Sequence, residues 1–101
     1  MGLCAEKTVK DYGFTREQQD KYALTSYERA AKAWASGEFS AEVVPVSVRQ
    51  RRGPDVVVAE DEEYKRVVKE KVPTLAPAFV KDGSGTITAA NASSLVCHSH
   101  I

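Results

Sequence analysis

Histidine, cysteine and net charge are all scarce in this 101-residue sequence, and each shortage removes a class of function. The two histidines, His98 and His100, both stand close to the C-terminus. Cys4 and Cys97 lie near opposite ends, so they set no disulfide framework and read as reduced thiols. Lys+Arg and Asp+Glu number 14 each, which leaves no broad basic field for nucleic acid. The longest apolar runs resemble Val56-Val57-Val58-Ala59, far short of the roughly 20 residues a membrane span needs. Met1-Gly2-Leu3-Cys4-Ala5-Glu6 has no basic region followed by an apolar core, so no targeting segment is visible. Glu6 stands where a myristoylation motif wants Ser or Thr. No internal repeat is apparent.

What remains is an ordinary globular composition, 43% hydrophobic and 28% charged, in a chain long enough for one modest domain. Ala5, Val9 and Tyr12 are spaced for a short helix that Gly13 ends. Thr15-Arg16-Glu17-Gln18 is a capping box, predicting a helix from about Arg16 to Ser36 that stops at Gly37. Phe14 is placed to staple onto its first turn, and Ala23, Tyr27, Ala30 and Trp34 form its apolar stripe. Val43 to Val48 is β-branched and nearly alternating, with Pro45 restricting it to an edge strand, a strand start or a bulge. A basic turn, Arg49 to Pro54, leads to a second strand over Asp55 to Ala59, which predicts a hairpin. Glu60-Asp61-Glu62-Glu63 is an acidic run, Val72 to Phe79 an ordered but irregular stretch with two prolines, and Lys81 to Gly85 a turn. Thr86 to Ala89 reads as a short strand.

The catalytic inventory is thin. Cys97, His98 and His100 are ligand-type residues without a further Cys or His nearby to complete a tetrahedral metal site. Cys4 has no histidine near it in sequence to activate it, and reads as a small helical core residue. Arg49, Arg51 and Arg52, and separately Lys65, Arg66 and Lys71, suit phosphate, but charge runs of this kind are usually solvated faces, and each alone reads first as one. In Ala90-Asn91-Ala92-Ser93 the small residues admit a closely approaching ligand, or simply a tight turn.

Read in order, these pieces resemble the thiolase family. The resemblance rests on Met1-Gly2-x-x-Ala5-Glu6, Glu17-Gln18-x-Asp20-x-Tyr22-Ala23 and Gly37-x-Phe39-x-x-Glu42-Val43-x-Pro45-Val46. It continues through Pro77-Ala78-Phe79 and closes on Gly85-Thr86-Ile87-Thr88-Ala89-Ala90-Asn91-Ala92-Ser93, quite specific to thiolases. Ser26-Tyr27, Pro54 to Val58 and Glu60 to Val67 look like the mitochondrial acetoacetyl-CoA-forming type. The resemblance implies an α/β fold, a partial one: residues 1–93 as a loop-domain segment with helices, a hairpin and a strand leading into the core, and residues 94–101 as a divergent tail.

The implied activity is acyl transfer, the condensation of two acetyl-CoA to acetoacetyl-CoA and the reverse thiolysis, in mitochondria. Tyr27, Arg66, Val67, Val68, Lys71 and Ser93 would contact coenzyme A. A potassium ion would take Tyr27 and the carbonyls of Ala89, Ala90 and Ala92, oxygen ligands that suit a hard cation. Two departures stand out. Val68 replaces the family's aspartate, and Ser94-Leu95-Val96-Cys97 replaces its usual helix start. The family's catalytic cysteine and its Asn-Glu-Ala-Phe, Gly-His-Pro and Cys-x-Gly motifs are not in this sequence. The expectation is therefore a thiolase segment that is inactive alone. The alternative is a non-catalytic module that binds coenzyme A or full-length thiolase subunits.

Overall fold

Two glycines punctuate the N-terminal half, because each occupies a left-handed conformation that a side chain disfavours. Gly13 (φ 69°) and Gly37 (φ 73°) close the first and second helices where the sequence places their stops. A computed structural model describes residues 1–93. Its elements are α1 (Gly2–Tyr12), α2 (Arg16–Ala35), β1 (Val46–Val48), β2 (Val56–Val58), α3 (Glu63–Arg66) and a 3-10 helix over Lys69–Thr74. Residues 94–101, the expected tail with Cys97, His98 and His100, lie outside the described residues. The described residues fold as two compact units: 1–25 with 68–93, and Ser26–Val67.

In the first unit α1 begins at Gly2, three residues earlier than Ala5, because the Met1 carbonyl already accepts from the Ala5 N–H at 3.0 Å. The capping box forms as expected: Gln18 N–H donates to Thr15 Oγ1 at 3.1 Å, and Thr15 N–H to Gln18 Oε1 at 2.9 Å. Phe14 stacks on Tyr12, ring centroids 6.3 Å apart, and remains about half exposed. Cys4 is exposed rather than a core residue, since α1 buries no side chain completely. The apolar core is small, Val72 and Ile87, and beside them Asp20 and Thr88 are buried polar residues.

Thr86 to Ala89 is not a ladder strand. Among the described residues the one sheet is β1–β2, and the Thr86, Ile87 and Thr88 N–H groups go to side chains of Glu6 and Asn91 instead. Buried backbone donors must be satisfied somewhere, and carboxylate and amide oxygens do it here. Gly85 is required for the approach to this stretch. A Cβ there would lie 2.1 Å from the Val80 carbonyl oxygen and 2.7 Å from Pro77 Cβ. The Pro-rich stretch is partly regular, its first turn falling in the 3-10 helix with Pro73 inside.

In the second unit the end of α2 carries Trp34, whose ring lies 5.3 Å from Phe39 and stacks 6.4 Å from Tyr64. The stripe Ala23, Tyr27, Ala30 and Trp34 is half-buried, and the buried residue of α2 is Asp20, in the part of the helix that belongs to the first unit. The hairpin is antiparallel, pairing Val46 with Val58, Ser47 with Val57 and Val48 with Val56. β1 starts just after Pro45 rather than at Val43, as a residue lacking an N–H dictates. The short helix α3 was not foreseen in the acidic run. Asp61 Oδ1 accepts from the Glu63 N–H at 2.9 Å, and the acid-first, base-last order of Glu63-Tyr64-Lys65-Arg66 complements the helix dipole.

Candidate functional site

The most organised chemistry in the first unit surrounds residues 86–93, and side chains distant in sequence impose it. The Glu6 carboxylate, projecting from α1, accepts from Thr86 N–H at 3.0 and 3.1 Å, Ile87 N–H at 3.0 Å and Thr86 Oγ1 at 2.9 Å. Partial burial pushes its pKa up, but the N–H groups of Ile87 and Thr86 and the Thr86 hydroxyl outweigh it and hold the group below its ordinary value. Asn91 fastens the other end. Its Oδ1 accepts from Thr88 N–H at 2.7 Å, while its Nδ2 donates to the Thr86 carbonyl and to Asp20 Oδ1, both at 2.9 Å.

Asp20 is buried and charged, so it needs partners. Arg16, one turn earlier on α2, donates its Nε to Asp20 Oδ2 at 2.7 Å. The same guanidinium donates to the carbonyls of Val72 and Leu75 at 3.0 Å, which ties the 3-10 helix to α2. The buried Thr88 hydroxyl accepts from the Ala90 and Asn91 N–H groups at 3.3 Å, and Ala92 N–H donates to the Thr88 carbonyl at 3.0 Å. Ala89 to Ser93 is thereby a fixed turn, with Ala89, Ala92 and Ser93 exposed. Such a turn offers backbone and methyl groups to a slim ligand without a bulky side chain in the way.

The expected site residues fall in both units. Ser93 and the three alanines share the fixed turn of the first unit, together with Val68 and Lys71 at the start of the 3-10 helix. Lys71 and Val68 are exposed. Tyr27, Arg66 and Val67 belong to the second unit, where Val67 and Tyr27 are half-buried. Arg66 pairs with Glu62 at 3.1 Å, both side chains about two-thirds exposed, an ion pair of little energetic weight that a ligand can displace. Lys65 is engaged by Glu60, whose hydrogen bond raises the pKa of the ammonium, and is the less available cation. Among the described residues no cluster of His, Cys, Asp and Glu could hold a metal ion.

Sequence reasoning passed over Glu6, Arg16, Asp20 and Asn91 as individual positioning groups. Arg16 and Asp20 carried a readable signal, an opposite-charge pair four residues apart on a helix. Nothing local announces that Glu6 meets residues 80 positions away.

Residues 1–96 match the N-terminal domain of thiolase, and the chain belongs to the thiolase family. It is 55% identical over 95 residues to the mitochondrial acetyl-CoA acetyltransferase of Gibberella zeae, and 56% identical to that of Bos taurus. In each case 94% of this chain and 22% of the relative are covered. Among solved structures, a thiolase of Ascaris suum in complex with coenzyme A matches with 67% identity and a TM-score of 0.83, over 93% of this chain and 23% of that one. The acetyl-CoA acetyltransferase of Bacillus anthracis matches with 45% identity and a TM-score of 0.84, over 94% and 24%. The partial α/β thiolase fold is thereby established, and the chain spans under a quarter of the length of these relatives.

Proposed function

We propose that this chain is the coenzyme-A-holding segment of a mitochondrial acetyl-CoA acetyltransferase, which condenses two acetyl-CoA to acetoacetyl-CoA and runs the reverse thiolysis. The observation that carries the reading is the turn Ala89–Ser93, held from behind by Glu6, Asn91 and Asp20 and presenting small side chains outward. Similarity to a thiolase solved with coenzyme A, and to relatives named mitochondrial, supports it.

In this reading Ser93 hydrogen-bonds the pantetheine arm, and the alanines leave room for it. Arg66 stacks and bonds at the adenine and phosphate end, where its planar guanidinium does both. The resemblance also assigns coenzyme A contacts to Lys71, Tyr27, Val67 and Val68. The family resemblance assigns potassium to Tyr27 and the carbonyls of Ala89, Ala90 and Ala92, oxygen donors of the chemistry that would suit such a hard cation. The covalent and proton-transfer steps fall to groups other than those described: Cys4 is exposed on α1, and residues 1–93 contain no histidine. Full-length thiolase subunits are then its natural partners.

Calorimetric titration of coenzyme A into the purified chain tests the reading. Without the further surfaces of a whole thiolase the pantetheine arm loses most of its apolar burial, worth about 25 cal/mol per Å². The phosphates then depend on charges screened over about 8 Å at physiological salt. Millimolar binding is expected, weakened by salt and by Arg66→Ala. Binding indifferent to Arg66→Ala would overturn the assigned site, and micromolar, salt-independent binding would make the chain an autonomous module.

A further inference from the structure

Two segments of the first unit carry coenzyme A contacts in the reading above: the 3-10 helix, with Lys71, and the turn Ala89–Ser93, with Ser93. An unbroken line of side-chain hydrogen bonds runs from one to the other. Arg16 Nη2 donates to the carbonyls of Val72 and Leu75, one within the 3-10 helix directly after Lys71 and one capping its end. Arg16 Nε donates to one oxygen of Asp20, and the other oxygen accepts from Asn91 Nδ2, two residues before Ser93. Asp20 is 5% exposed and Val72 1%, so water does not readily replace these joints. A buried ion pair is weak evidence for stability, because desolvation offsets its attraction. What this one does supply is geometry: a planar guanidinium holds a carboxylate and two carbonyls in one rigid fork.

We propose that Arg16 is a positioning residue for coenzyme A. Through Asp20 and Asn91 it sets the 3-10 helix, and with it Lys71, at a fixed place relative to the turn that carries Ser93. The inference rests on the contacts proposed for Lys71 and Ser93. A ligand that touches two segments loses affinity to the cost of ordering them, unless the protein has ordered them beforehand. Arg16 touches no ligand in this account. It removes that cost.

A double-mutant cycle, read by calorimetric titration of coenzyme A into the full chain, tests it. Lys71→Ala and Ser93→Ala are each expected to weaken binding by the parent about threefold, the weight of an exposed ion pair or one neutral hydrogen bond. Arg16→Lys keeps the charge and still reaches Asp20, but an ammonium lacks the fork that also holds both carbonyls. In that background Lys71→Ala is expected to cost nothing further, while Ser93→Ala keeps its effect. A role in stability alone would leave both effects in place. Asp20→Asn severs the line differently, because its single acceptor serves Arg16 or Asn91 and not both. One of the two effects should then vanish. Circular dichroism confirms that each variant keeps the helix content of the parent. Lys71→Ala retaining its full effect beside Arg16→Lys, or both effects surviving beside Asp20→Asn, overturns the inference. A parent chain indifferent to Lys71→Ala and to Ser93→Ala overturns the proposed contacts themselves, and the inference with them.

Discussion

At the scale of single residues, Glu6 matters more than its place on an otherwise exposed helix suggests. Its carboxylate is the acceptor for two successive backbone N–H groups and a hydroxyl, so removing it strands donors on Thr86 and Ile87. Charge-assisted bonds of this kind are each worth about 1.5–3 kcal/mol, less where water can reach. The folded-state pKa is depressed, so the stabilisation is present above the unfolded-state value of about 4.3 and is lost as pH falls through the folded one. Glu60 and Asp82 are also depressed by local hydrogen bonds, so they share in the acid sensitivity of the chain. The informative quantity is therefore the difference between wild type and Glu6→Gln. That variant should lower the thermal midpoint at pH 7, and the gap should narrow between pH 5 and pH 3. A gap constant across that range would mean that the ionised carboxylate is not what holds Thr86 and Ile87.

At the scale of elements, α2 starts where its capping box dictates, and the box is a separable source of stability. Thr15→Ala removes the acceptor for the Gln18 N–H. Loss of such a cap costs about 1 kcal/mol, roughly a 4–8 °C fall in midpoint for a chain of this size. Helical ellipticity followed on heating should show that fall, and Thr15→Ser should restore most of it. An unchanged midpoint would mean that tertiary contacts of Arg16 and Asp20 alone set the helix start. The hairpin gives the complementary lesson. Its strands are three residues each and exposed throughout, so their pairing rests on little within the second unit beyond the ladder itself.

For the whole molecule the expectation is binding chemistry without turnover. Nucleophilic catalysis needs a nucleophile within reach of a base, and Cys4 is exposed with no histidine among the described residues. Purified chain should show no thiolysis of acetoacetyl-CoA above the uncatalysed rate, followed by loss of the magnesium-enhanced enolate absorbance. Turnover surviving rigorous removal of host thiolase would place a catalytic pair in this chain and overturn the proposed division of labour.

Local signals determined much of this protein. The stops at Gly13 and Gly37, the capping box at Thr15 and the start of β1 after Pro45 each follow from one residue's backbone chemistry acting on its neighbours. The family, too, was legible in ordered motifs that a pattern can carry without coordinates. Tertiary structure alone decided the fate of Thr86 to Ala89. Its β-branched residues suit a strand, but a strand exists only with a partner, and here Glu6 and Asn91 take the N–H groups a neighbouring strand would take. It also turned Asp20 from one charge of a surface helix into the buried joint between Arg16 and Asn91. Helix periodicity reports which residues share a face; what covers that face depends on contacts between residues 71 and 80 positions apart, and no local window contains them.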